Sequence, residues 1–122
     1  MQVISIARQL ATINDYWQPI IVGELNGQVV KVVKLQGEFV MHHHDHEDEM
    51  FLVVKGVLVI DFGTSSKTIG EGEFIVIPRG VDHKPVAAEE VHVLLFEPAT
   101  TLNTGNVVNE RTVASPRKIT DR

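Results

Sequence analysis

Met41-His42-His43-His44-Asp45-His46-Glu47-Asp48-Glu49 decides how this chain is read, together with Pro78-Arg79-Gly80-Val81-Asp82-His83 further on. Five of the six histidines fall in these two segments, and both segments are flanked by apolar runs with strand character. Neutral imidazoles and carboxylates are the protein ligands that borderline divalent metals prefer. On an extended chain side chains alternate with period two, so His42 and His44 point to the same side. The two can grip one ion from a single strand, with Glu49 supplied by the next strand and His83 by a later one. The pattern predicts a metal site inside a β-barrel.

Outward from these segments the texture is short β-rich runs broken by glycine. Ile20 to Leu25 and Gln28 to Leu35 flank Asn26-Gly27, a strong two-residue hairpin signal. Phe39 to His44, Met50 to Lys55 and Val57 to Phe62 read as the next strands, ahead of a Gly63-Thr64-Ser65-Ser66 turn. Lys67 to Ile69, Phe74 to Ile77, His83 to Val86 and Val91 to Phe96 complete the set. Strands of this length with regular turn signals point to a sandwich or barrel rather than βαβ units. Ahead of them, Ile6, Leu10 and Ile13 at helical spacing predict one short helix, capped by Ser5 and stopped by Asn14-Asp15. After Pro98 the chain turns polar through Thr100, Thr101, Asn103, Thr104, Gly105 and Asn106. This is either a loop packed across the barrel or a partly mobile extension. The expected organisation is one domain: a helical segment over 1–18, a barrel over 19–98 and a C-terminal extension over 99–122.

At 122 residues the chain can bury one modest core but not two. Its formal net charge of −5 speaks against a nucleic-acid partner, which needs a basic stripe. No apolar run approaches the roughly 20 residues needed to span a bilayer, so no membrane role is expected. Met1 to Asn14 lacks the pattern of a secretory signal. There is no cysteine, which excludes disulfides and thiolate metal sites and fits a cytoplasmic protein.

Gly37, His42-His43-His44, Glu49 and Gly56 stand in one ordered set, and Gly72, Pro78, Gly80 and His83 in a second. Their spacing resembles the two motifs of the cupin superfamily, small barrels of jelly-roll type (a double-stranded β-helix). The first gap departs from the family pattern, with four residues between Gly37 and His42 instead of five. In the second motif Ala87 replaces an asparagine that is not a metal ligand in the family. The resemblance covers roughly Ile20 to Pro98. His83-Lys84-Pro85 through Leu102-Asn103-Thr104-Gly105 also looks like a single-domain subgroup labelled mannose-6-phosphate isomerase-like. The family implies an all-β jelly-roll barrel, here with a short N-terminal helix. It also implies one divalent transition metal ion (iron, manganese, nickel or zinc) on His42, His44, Glu49 and His83. The competing register, His44 and His46 with Glu49, is disfavoured, because in the family spacing counting back from Gly56 fixes Glu49 and then selects His42 and His44.

His43 is expected to face away from the ion, and His92, alone in an apolar strand, to be a satisfied barrel residue. If Glu49 points inward, Phe51 and Val53 do as well; if His42 does, Val40 joins them. The ion would then sit in a mainly apolar cavity suited to a small molecule. His46 and Glu47, in the turn between ligand-bearing strands, are the candidate catalytic bases. Arg79 and Phe51 are the candidate substrate contacts, Arg79 through bidentate bonds to a carboxylate or phosphate. Tyr16 and Trp17 are assigned to core packing, with a lid or dimer contact as alternatives.

Three imidazoles and one carboxylate leave open positions on a five- or six-coordinate ion, which suits a Lewis acid or an oxygen-activating centre. The leading expectation is a metalloenzyme acting on a small polar molecule, sugar- or keto-acid-like, that chelates the metal. Isomerase-like or hydrolytic chemistry needs only the ion and one base, whereas dioxygenase chemistry needs iron and a dry pocket. The alternative is a metal-dependent binding or sensing module without turnover. Because ligating histidines must be deprotonated, metal occupancy should fall below about pH 6. A homodimer is expected through two edge strands, Ile20 to Leu25 and Val91 to Phe96.

Overall fold

Asn26 has φ 47° and Gly27 φ 79°, the two positive values that a two-residue type I′ hairpin requires. They join β1 (Ile20–Leu25) to β2 (Gln28–Glu38) in antiparallel register, as the dipeptide predicts. The computed structural model describes residues 1–119. Its further strands are β3 (Glu49–Lys55), β4 (Leu58–Asp61), β5 (Ser66–Ile69), β6 (Phe74–Ile77), β7 (Lys84–Pro98) and β8 (Arg117–Lys118). They run β5-β4-β7-β2-β1-β8, with β3 also on β7 and β6 on β3. One long strand, β7, thus bonds β4 near Lys84–Val86 and β3 near His92–Phe96, while β2 follows it throughout. That shared strand rolls the sheet into a jelly-roll barrel.

The interior is filled by Val33, Leu35, Phe51, Val53, Leu58, Ile60, Ile69, Val91, Val93 and Leu95, the inward members of alternating strand positions. Outside the barrel, α1 (Ile6–Ala11) begins at Ser5, whose side chain accepts from the Arg8 N–H. Leu10 and Ile13 then bury against Ile20, Val22 and Val32 on the outer face of β1 and β2. Among the described residues no helix is long and apolar enough to cross a membrane.

The strand expected over Phe39 to His44 does not form. β2 continues to Glu38, and residues 39–44 make only an isolated antiparallel bridge, His42 to His83. Without a ladder the period-two rule lapses: Phe39 is buried and lines the interior cavity, and Val40, expected inside, does not. His83 to Val86 and Val91 to Phe96 are one strand, not two. Glu89 and Glu90, between the two expected strands, sit in an irregularity of β7 between the pairs Leu35–Val91 and Gly37–Ala87. The Gly56 turn accommodates this bulge. With φ 93° at Gly56, an added Cβ would lie 3.0 Å from the Glu90 carbonyl oxygen.

One of the two expected edges is also misplaced. Val91 to Phe96 is the most enclosed part of the sheet, bonded to β2 on one side and β3 on the other. β1 carries β8 alongside Ile20 and Ile21. Among the described residues the strands with one partner are β5, β6 and the two-residue β8.

Candidate metal centre

Three backbone hydrogen bonds stitch the first histidine segment to the second. His42 N–H donates to His83 O, His83 N–H to His42 O and Gly80 N–H to His44 O, at 3.0, 2.8 and 2.8 Å. Pro78 to Val81 is a turn closed by the Val81 N–H on Pro78 O, and Asp48 steadies it by accepting from the Arg79 N–H at 2.9 Å. Glu49 then opens β3 and points into the barrel. His42, His44, Glu49 and His83 are all buried, and their ligand atoms lie within 4.8 Å of one another.

The tautomers of two rings follow from their neighbours. His42 Nδ1 is 2.9 Å from Val40 O and His83 Nδ1 is 2.9 Å from Val81 O. A carbonyl oxygen can only accept, so each Nδ1 donates its N–H, and in the neutral ring Nε2 is left as a bare lone pair. His83 Nε2 nevertheless lies 3.2 Å from Glu49 Oε1, as does His44 Nε2. The His83 lone pair facing a carboxylate at this distance repels it unless a cation stands between them, whereas His44, whose buried Nδ1 has no partner among the described residues, can turn a neutral Nε2–H toward Glu49. At His83 a proton would stand there only by charging a ring that is 1% exposed, which burial opposes. One divalent ion satisfies all four donors at once. The residues therefore fit a metal ion.

The electrostatics agree in direction. Burial and the neighbouring His83 push His42 down to about 4, so this ring is a neutral donor over the ordinary pH range. Burial by itself would raise Glu49, but hydrogen bonding from the His44, His83 and Glu97 side chains holds its carboxyl below the usual carboxylate range, a demand for positive charge at this oxygen that a metal ion would meet in their place. Glu97 goes the other way. Burial and the nearby Glu49 carboxylate push it well above the ordinary range, against the pull of Lys31.

Beside the four ligands lies a cavity lined by Trp17, Phe39, Phe51, Leu95, Lys31 and Glu97, with His42 and Glu49 in its wall. It leaves about 40 Å³ for the centres of water-sized molecules. A water needs roughly 10–15 Å³ on this measure, so a few non-hydrogen atoms fit. Trp17 and Phe39 stack with ring centroids 4.7 Å apart, and the Arg111 guanidinium lies over both rings at 5.8 and 5.7 Å.

The C-terminal extension closes this end. Thr101 and Thr104 are buried, and Asn103 lines the cavity and bonds Arg111 and Val113. Asn106 grips the ligand segment from outside: its Oδ1 accepts from the His43 N–H at 2.9 Å and its own N–H donates to His43 O at 3.0 Å. Gly105, at φ 54°, passes so near that a Cβ there would overlap the His43 carbonyl oxygen.

Comparison with known proteins agrees with this geometry. The cupin domain family matches residues 29–97. The chain belongs to that family. A cupin-2 domain containing protein of Shewanella frigidimarina is 42% identical to this cupin, over 79% of this chain and 94% of that one, with a TM-score of 0.78. A Neisseria meningitidis protein is 34% identical, over 80% of this chain and all of that one, with a TM-score of 0.74. YdbB, an uncharacterized protein of Bacillus subtilis, is 33% identical over 64 residues, 52% of this chain and 57% of its own length.

Of the residues singled out in the sequence, the fold brings His42, His44, Glu49 and His83 together and sets Phe51 in the cavity wall. His43 faces outward between Asp82 and Asp45, its Nδ1 and Nε2 at 2.8 and 3.0 Å, and these carboxylates raise its pKa. His46 is exposed, and Glu47 accepts from the Thr100 hydroxyl at 2.8 Å; neither lines the cavity of this cupin. Arg79 is exposed beside Asp48, also away from the cavity. His92 bonds Glu90 at 2.7 Å, and Tyr16 donates to the same carboxylate. Glu97 and the buried, inward place of Lys31 escaped the sequence reading. The alternation Val29, Lys31, Val33, Leu35 held the signal, a charged residue in an inward-facing row.

Proposed function

We propose that this cupin is a small metalloenzyme whose substrate, a small polar sugar- or keto-acid-like molecule, chelates the metal through two oxygens. The observation that supports it is the convergence of buried His ring nitrogens and Glu49 Oε1 beside a mainly apolar cavity. When bound, an iron, manganese, nickel or zinc ion would supply Lewis-acid polarisation of a ligand oxygen. Three imidazoles and a carboxylate would leave it one or two open positions, unlike a closed structural site. The Val40 and Val81 carbonyls orient two of the rings, and Trp17, Phe39 and Phe51 keep the cavity apolar. Proton transfer falls to Glu97, the carboxyl in the cavity wall that burial favours in its protonated form, rather than to His46 or Glu47. Assignment to the mannose-6-phosphate isomerase-like subgroup and to the cytoplasm belongs to this proposal, resting on Leu102 to Gly105 and on the lack of cysteine.

The small volume favours one alternative, a metal-dependent binding module without turnover. Elemental analysis of protein purified without a metal-affinity column tests the common premise. One transition-metal ion per chain is expected, and no stoichiometric metal after supply in the medium overturns it. We further propose a two-fold homodimer through the outer face of β6, where Phe74 and Val76 are 60% and 51% exposed on a strand with one partner. Light scattering should give about twice 13.6 kDa, and a single-chain mass at micromolar concentration refutes it.

A further inference from the structure

Three neighbouring strands each place a charged residue inside the barrel: Lys31 on β2, Glu97 on β7 and Glu49 on β3. Glu49 belongs to the metal centre, and the other two do not. Lys31 Nζ donates to Glu97 Oε2 at 2.8 Å, with both side chains 4% exposed or less. A buried pair is a poor stabiliser, because the loss of hydration rivals the attraction. The neighbouring inward positions Val33 and Leu95 are apolar, and Val33 and Lys31 lie on the same strand. The pair is also incompletely bonded. Among the described residues Glu97 is the one acceptor for an ammonium that carries three donors, and Glu97 Oε1 is buried with no donor of its own, the carboxyl facing that of Glu49. Both residues line the same cavity as His42 and Glu49.

We propose that Lys31 and Glu97 recognise a small 2-hydroxycarboxylate, an inference that rests on reading the cavity as a metal-dependent ligand site. The ligand's carboxylate takes the free Lys31 donors, and its hydroxyl donates to Glu97 Oε1. A 2-hydroxycarboxylate carries these two functions on adjacent carbons, the span that about 40 Å³ admits. The same two oxygens form a chelate for the ion. A divalent ion with Lys31 outweighs Glu49 and Glu97 whether or not Glu97 holds a proton, so the cavity prefers an anion to a neutral sugar.

The test is a titration of Co²⁺-loaded protein with lactate and with lactamide, its neutral analogue, followed by the ion's visible absorption. Lactate should bind at least tenfold more tightly than lactamide. Lys31→Met should keep stoichiometric Co²⁺, lose at least tenfold in lactate affinity and change less than twofold toward lactamide. The double variant Lys31→Met with Glu97→Gln leaves no lone buried charge, and it serves if the single variant does not fold. Lactate binding that is absent, no tighter than lactamide, or unchanged in the variants overturns the proposal. So does loss of Co²⁺ from both variants, which would make the pair a support for the metal centre. Wild-type protein that takes up no Co²⁺ is a separate result; it removes the metal reading, and this proposal with it.

Discussion

Two halves of the barrel interior are equally buried and chemically opposite. Around Leu58, Ile60, Val53, Val91 and Ala87 every wall is apolar, each of these residues having no exposed surface. Around His42, His44, Glu49, His83, Lys31 and Glu97 exposure is 4% or less, yet each residue is polar or ionisable. The same strands serve both halves: β3 carries Val53 inward at one end and Glu49 at the other, and β7 carries Val91 and Glu97. The first half closes the fold. The second spends burial on a shape that a cation and a small anion can complete, and holds its own groups short of bonding partners. Burial alone does not distinguish core from site; unsatisfied bonding capacity does.

Changing both His42 and His44 to alanine should break the second half without the first. Stoichiometric metal should be lost entirely while the circular dichroism of the β-barrel is retained. His43→Ala should keep the metal, and elemental analysis decides between the three proteins. If His43→Ala loses metal and the double variant keeps it, the ligand register is wrong. Leu58→Ala should do the reverse. A cavity in the apolar half should cost about 2–5 kcal/mol in urea denaturation, with metal stoichiometry unchanged. A smaller, pH-dependent effect separates the halves again in metal-free protein. His42 is pushed down to about 4, while an unfolded histidine sits near 6.5, so between these values the unfolded chain binds more protons. Stability should fall as pH drops from about 6.5 to about 4, by on the order of 3 kcal/mol from this ring. Urea midpoints at pH 7, 5.5 and 4 check this, and His42→Ala should flatten the profile. The loss from Leu58→Ala should be the same at each pH.

The cluster of His42, His44, Glu49 and His83 was legible because glycine spacing selects which histidines count, and the Asn26-Gly27 hairpin because its residues tolerate positive φ. The ligand strand was misread for a physical reason. Alternation predicts which side chains share a face only where a ladder holds the backbone extended. Residues 39–44 have a single bridge, so Phe39 takes the inward place expected of Val40. Lys31 and Glu97 are 66 positions apart, and only the β2–β7 register brings them into bonding distance. The segment after Pro98 looked like a loop or a mobile extension because its residues are polar. Its polar groups are used on backbone: Asn103 on Arg111 and Val113, and Asn106 on His43.

That last contact has a kinetic meaning. The His43 amide hydrogen is held by Asn106 Oδ1, and deuterium from solvent can replace it only while the 103–106 segment is lifted away. Its exchange rate is therefore a clock for the opening of the segment that flanks the histidines. A backbone proton on the one residue of the triple run that turns its ring outward keeps time for the whole cavity.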